Sequence, residues 1–439
     1  MTQAIEKSVA GNGGNGQVRK SRKQYRIEDF YFLKIGNMWR YMKTQHFSFW
    51  MICFYIFFEY TRPQAIFPAI DFLPWAQLFL ILSLVGALLD PTVRWVSSPV
   101  NWVINLFAVL IFVSSIYAFD PDVSKRHYID FYSWFVVYYL IINIVNSKER
   151  LYVFVIVILL SMAKIAIGTS KAWAMRGFSF TKWGLMGPAG YFQNSGELAI
   201  LMLTLFPLAY YLYEYLKDRV SIWERYLLIA FWVAPIMTIL GASSRGAQVA
   251  LVVQLLIMFR KKVFRPKQMI VIGVMVFALY SLLPEEQKAR FESAGEDRTS
   301  QQRLLYWKHG MDMIQSHPWL GVGFFNFPVY YENYYQDDML YDRAQLPHNI
   351  FIQVGADAGI PAMILAALLV CAPYFLYRKV RQRSDKGYLK VVSAGAGMGL
   401  LGFVIAGQFV TVFYYPFLWI GLGVAVASEH ASAVVGRKL

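Results

Sequence analysis

Only two cysteines occur in the 439 residues, Cys53 and Cys371, and they sit far apart in apolar runs. That leaves neither a disulfide framework nor the ligand spacing of a structural metal. Charge is also scarce, with Asp, Glu, Lys and Arg together at 16% of the chain. No paired His/Asp cluster suggests a metal site, no glycine-rich nucleotide loop follows a strand-like run, and no Gly-x-Ser-x-Gly elbow occurs. Sugar-nucleotide chemistry and hydrolase chemistry of those types are therefore unsupported. The first 26 residues lack the apolar stretch and small-residue cleavage site of a signal peptide. They read "GNGGNGQVRKSRKQ" at their centre, Gly/Asn-rich and then basic, and such a segment cannot bury a core.

What is abundant is apolar surface: 57% of residues are hydrophobic and 17% aromatic. Repeated apolar runs make an all-α integral membrane protein the expected fold class. The formal net charge of +15 brings nucleic acid to mind, but the basic residues gather in short clusters between apolar runs. That is the distribution of positive-inside loops, so no nucleic acid is expected as a partner.

Runs able to span a bilayer cover 47–60, 72–89, 100–118, 132–146, 151–168, 196–213, 223–240, 246–260, 268–283, 360–377, 390–410 and 413–428. About 12 transmembrane helices are predicted, the first and fourth being short for the roughly 20 residues a span needs. With the N-terminus inside, alternation puts Arg94, "NSKER" (146–150), "KDR" (217–219), "RKKVFRPK" (260–267), "RKVRQRSDK" (378–386) and the C-terminal "GRKL" on one side. Both termini are then cytoplasmic. The chain divides into a basic tail (1–46, largely disordered before about 26), spans 1–9 (47–283), a polar loop with an interfacial helix (284–358), spans 10–12 (360–428) and a short tail (429–439).

Two segments fall on the other side, 169–195 and the long polar loop 284–347. A loop of that length inside a compact membrane protein is usually functional. Within it, "QQRLLYWKHGMDMIQS" (301–316) predicts an amphipathic helix, with Leu304, Leu305, Trp307, Met311 and Ile314 as its apolar contacts. "HPWLGVGFFNF" then stops it with Pro and Gly.

Candidate chemistry collects on that side. Arg245, in "GASSRGAQVA", occupies the tight turn between the seventh and eighth runs, where Gly241 can close one helix and Ser243 or Ser244 cap the next. It is either an interfacial snorkelling arginine or a functional one. Arg303 lies on the loop helix beside Tyr306 and Trp307, and Arg176 lies in the other outward segment. His348 and Asn349 follow Pro347 and open a short interfacial helix over 348–358, ended by Gly359 and Pro361. Exposed N–H groups at such an N-terminus favour anions. Gln193 and Asn194 precede the sixth span, and Asn194 with Glu197 fits a capping box.

The chain resembles the O-antigen ligase and O-antigen polymerase superfamily of bacterial membrane glycosyltransferases. The family signature of His, then Asn, Ser or Gln, nine residues and Gly-x-x-Gly matches His348, Asn349 and Gly359, with Ala362 in place of the last glycine. "SSRGA" is similar to its membrane-edge arginine, "RLLYWKHGMDMIQSHPWLGVGFFNF" to its loop, and "GYFQNSGELA" to its span opening. The likeness runs over roughly residues 176–376.

The resemblance implies a GT-C-like fold with one long periplasmic loop containing helices, in the bacterial inner membrane. It implies a glycan donor on undecaprenyl diphosphate and transfer to a sugar hydroxyl of lipid A-core or of a growing glycan. The reaction would be inverting and independent of metals and other cofactors, with membrane lipids as surroundings. His348 and Arg245 are then the expected catalytic residues, and Arg303, Arg176, Asn349, Gln193 and Asn194 the expected diphosphate and sugar contacts. The same superfamily holds protein O-oligosaccharyltransferases. A lipid-linked glycan transporter is the alternative of a different class, one that would want ionisable groups near mid-membrane and paired repeats.

Overall fold

A computed structural model describes residues 26–31, 34–180, 184–188, 190–192, 194–267, 297–383 and 387–436, with isolated positions at 269–270, 273–274, 281 and 288. The described part is helical throughout. Its main helices are α1 (Phe47–Thr61), α2 (Trp75–Leu89), α3 (Pro99–Ile116), α4 (Tyr128–Ile144), α5 (Lys148–Met175), α6 (Ser195–Leu216) and α7 (Ile222–Gly241). They continue with α8 (Arg245–Met258), α9 (Arg298–Ser316), α10 (Phe327–Tyr334), α11 (Ile350–Gln382), α12 (Tyr388–Ala406) and α13 (Pro416–Gly436).

Among these, seven are long and apolar enough to cross a bilayer: α3, α5, α6, α7, α11, α12 and α13. Helices α1, α2, α4 and α8 coincide with four further predicted runs but are only 15, 15, 17 and 14 residues long. The run at 268–283 lies mostly outside the described residues.

Helix α6 is the centre of the bundle, packed between α7 and α12. Small residues let α12 approach: a Cβ on Gly399 would come within 2.6 Å of the Thr204 carbonyl, and one on Gly395 within 2.7 Å of the Leu208 backbone. Such small-residue seams replace the hydrophobic drive that lipid removes. Gln254 of α8 adds polar glue, donating to the carbonyls of Leu203 (3.0 Å) and Met398 (2.8 Å).

The polar segment 298–349 docks onto α11. That helix is broken after its second turn, where Ala358 and Gly359 leave helical geometry and Gly359 takes φ 79°. The "HPWLGVG" turn fills the break. Val322 N–H donates to the Ala356 carbonyl (2.7 Å), Gly323 N–H to Asp357 (3.2 Å) and Ile360 N–H to Pro318 (2.8 Å). A Cβ on Gly359 would strike the Trp319 backbone at 2.5 Å, so glycine is required there by space as well as by φ. Ala362 is fully buried, so the extra methyl at the last signature position is accommodated.

Two sequence expectations need correcting. The loop helix buries Gln302, Tyr306, His309, Gly310, Met313 and Ile314, whereas Leu304 and Met311 are exposed. Its covered face is chosen by the chain that lies over it, and the polar groups there are satisfied. Gln302 Oε1 accepts from Leu340 N–H (2.5 Å), and His309 pairs with Asp338 (2.6 Å) and Asp312 (3.1 Å). The helix predicted from 348 begins instead at Ile350, because His348 has φ 54° and cannot continue a right-handed helix.

Candidate active site

Arg245 is the first residue of α8. Before it, Ser243 takes φ 56° to reverse the chain after α7, and Ser244 stands at the N-cap without a side-chain capping bond. Gly246 allows the turn to be covered closely, since a Cβ there would meet the Phe409 ring at 2.6 Å. Phe409 in turn leans on Trp307 of α9, with ring centroids 6.4 Å apart. One aromatic side chain therefore brings the start of α8 and the middle of α9 to a common wall.

Arg245 Nη2 donates to Asp297 Oδ2 at 3.0 Å. Asp297 also caps α9, accepting from Ser300 N–H (3.1 Å) and Ser300 O–H (2.7 Å). Partial burial works against its ionisation, but the bonds from Ser300 and Arg245 prevail and hold the carboxyl down at about 2. Its charge is thus committed to Arg245.

Arg303 lies in the second turn of α9, mostly buried, and its Nε has no hydrogen-bond partner. Burial and then the charge of Arg245 lower its pKa, while Asp297 and Tyr341 act the other way. His348 is next in the same cluster: burial first, and the Arg303 charge second, push its imidazole down to about 4. Three groups from 245, 303 and 348 therefore share one electrostatic neighbourhood, with a surplus of positive charge after Asp297 is counted.

His348 is held from several directions. Its backbone N–H donates to Thr411 Oγ1 (2.8 Å), and its Nε2–H donates to Gln345 Oε1 (3.1 Å). An amide oxygen only accepts, so Nε2 carries the proton and Nδ1 keeps its lone pair. Gln345 is fixed by its own N–H on the Tyr306 hydroxyl (2.9 Å), and Pro347 by Trp307 Nε1–H on its carbonyl (3.0 Å).

The remaining candidates divide. Asn349 is the N-cap of α11: Oδ1 accepts from Phe351 N–H (2.9 Å) and Ile352 N–H (3.2 Å), and Nδ2 donates to Gln408 (3.1 Å). Its carboxamide is occupied by structure. Asn194 caps α6 through Gly196 N–H (2.8 Å) and stands near the cluster, since Gly196 abuts Val410 and Ser244. Glu197 accepts from the Tyr415 hydroxyl (2.8 Å). Arg176 ends α5, exposed, and no contact joins its side chain to Arg245, Arg303 or His348. Gln193 lies outside the described residues.

Sequence reasoning missed Asp297, Gln345, Phe409 and Thr411. Only Asp297 had a legible signal, an Asp-x-x-Ser cap ahead of the amphipathic stretch. The others matter through contacts made across long sequence separations.

Among the described residues, which are helical, seven helices are long and apolar enough to span a bilayer and a cationic site is walled by helix ends and a docked loop, the features of a membrane protein. Residues 228–367 match the family model described as O-antigen ligase, which places this segment in a superfamily of glycosyltransferase-like enzymes. The matched segment contains Arg245, Asp297, Arg303 and His348 together. No curated protein matches the chain.

Proposed function

We propose that the protein transfers a glycan from undecaprenyl diphosphate to a sugar hydroxyl of lipid A-core at the periplasmic face of the inner membrane. About 12 spans and a GT-C-like arrangement belong to the same reading. The observation that carries it is that Arg245, Arg303 and His348 are tied together within the matched segment, Arg245 by its pair with the Asp297 that caps α9 and His348 by the bond from Trp307 of α9 to the Pro347 carbonyl.

In this mechanism the acceptor hydroxyl attacks the anomeric carbon as the bond to the diphosphate oxygen breaks, inverting the centre. Charge grows on the phosphate oxygens, and Arg303 and Arg245 meet it. Guanidinium suits this task because its planar fork donates two hydrogen bonds and stays charged. His348 Nδ1 takes the hydroxyl proton, a role supported by the neutral form that burial and Arg303 favour. Asn194 and Gln193 are proposed sugar contacts and Arg176 a more distant cation. Asn349 acts by holding the start of α11 in place.

The test is transfer by the purified protein in liposomes with lipid-linked donor and no ion gradient. Transfer supports an enzyme, while movement of donor without transfer would assign a transporter. Deleting the gene separates relatives within the superfamily: unligated lipid-linked polymer indicates a ligase, and decoration by single repeats a polymerase.

The acid limb of the pH profile gives a sharper check on His348. In kcat/KM, which reports the free enzyme, the limb should fall near pH 4, well below the 6.5 of an ordinary imidazole. Gln345→Glu places a carboxylate on Nε2–H, stabilises the imidazolium and should move the limb to higher pH. An unmoved limb would mean that His348 is not the titrating base.

A further inference from the structure

Arg62 closes α1 with φ 50° and ψ 59°, the left-handed conformation in which helices ordinarily place glycine. An arginine is held there against its backbone preference. Its guanidinium lies over Gly190, whose own φ is 108°, and a Cβ on that glycine would come 2.7 Å from Nη1. Beside it, Lys164 Nζ donates to the Thr61 carbonyl at 2.6 Å, bringing a second positive charge to the last turn of α1. Glu59 and Tyr191 feel the Arg62 charge, yet no carboxylate among the described residues forms an ion pair with it.

Two polar atoms flanking Arg62 are buried without hydrogen bonds, Tyr60 Oη and Gln64 Oε1. Tyr60 is fully buried and lines an apolar cavity with Ile158, Met162, Leu205, Phe417 and Val424. Arg62 and Lys164 each stand two residues from a lining residue, Tyr60 and Met162, so positive charge lies beside an apolar cavity, as an anionic amphiphile requires.

The position relative to Arg245 follows from one loop. Leu185 N–H donates to the Gly241 carbonyl (3.2 Å) and Gly184 abuts Ala242, at the turn that leads into Arg245. Six residues later the same loop reaches Arg62. The six-residue loop spans at most roughly 20 Å, so both arginines are at one end of the bundle. Two cationic places at one end of the bundle suit two ligands meeting over a common surface.

We propose that Arg62 and Lys164, beside the Tyr60 cavity, form a second anion site that holds a phosphate of the lipid-anchored acceptor, with its chain entering the cavity. The acceptor assignment rests on the transfer reading above; the anion site itself does not.

The test uses the full-length protein purified in detergent, with phosphatidic acid and phosphatidylcholine of the same chain length as probes in native mass spectrometry. The wild type should retain phosphatidic acid preferentially. Arg62→Gly relieves the left-handed backbone, so it should melt no lower than the wild type while losing at least fivefold of the bound phosphatidic acid. Arg62→Gly that binds as the wild type, or that loses binding only together with thermal stability, overturns the site. Millimolar inorganic phosphate should displace phosphatidic acid poorly, and full displacement would overturn the part played by the cavity.

In the transfer assay, Arg62→Gly should raise the acceptor KM at least fivefold and leave the donor KM unchanged. A rise in the donor KM instead would overturn the acceptor assignment. A wild-type protein that transfers nothing would sink the transfer reading, and the lipid-binding result would still decide the anion site.

Discussion

His348→Ala should lower transfer by about 10²–10⁴-fold, the range expected for loss of a positioned general base, while the protein still inserts and melts cooperatively. Its ring makes one side-chain hydrogen bond, to Gln345, and its backbone N–H bond to Thr411 survives the substitution. Helix α11 keeps its cap, because Asn349 and not His348 provides it. The variant should also lose the acid limb near pH 4. Arg245→Ala should cost about 10²–10³-fold, as for removal of one preorganised donor to a developing anion. Asp297 then loses its partner but continues to cap α9 through Ser300, so the loop helix persists. Near-normal transfer by either variant, measured on protein quantified in the membrane, would remove that residue from the mechanism.

Arg303→Met should do two opposite things. The Arg303 guanidinium is mostly buried, its Nε is unpaired, Arg245 repels it, and the nearest carboxylate is already engaged. An unsatisfied charged group of this kind costs about 1–3 kcal/mol. Methionine fills similar space without that penalty, so the empty protein should melt at a higher temperature. Transfer should fall by about 10²–10³-fold, because the same cost in the empty protein is what a bound diphosphate would relieve. Both quantities are measured on one preparation. Lower stability together with lost activity would assign Arg303 an ordinary packing role.

The helices were legible because a bilayer imposes a simple pattern. Every predicted apolar run before residue 261 and after residue 359 coincides with a helix, with ends shifted by a few residues or, at α5, α11 and α13, by a turn or more. The signature residues were legible as well, since Arg245, Arg303 and His348 lie in recognisable local patterns. Less accessible was the face that α9 buries. Leu304 and Met311 look like core residues in isolation, but the covering chain at 336–347 selects Gln302, Tyr306 and His309 instead. The division of labour between His348 and Asn349 was hidden for a similar reason. A left-handed residue and a cap cannot be told apart from a two-residue motif. Partners such as Phe409, Gln408 and Thr411 come from a turn between two distant helices, and no local pattern announces them.

The docking of segment 298–349 has one more consequence. Tyr306 and Trp307 fasten the stretch before His348, Gln408 and Thr411 fasten it from the bundle, and the 317–323 turn locks the break in α11. These bonds hold the stretch around His348 from three sides. A cradle rigid before occupancy inspects only the linkage seated in it, so donors carrying two sugars or two hundred should be consumed with equal ease.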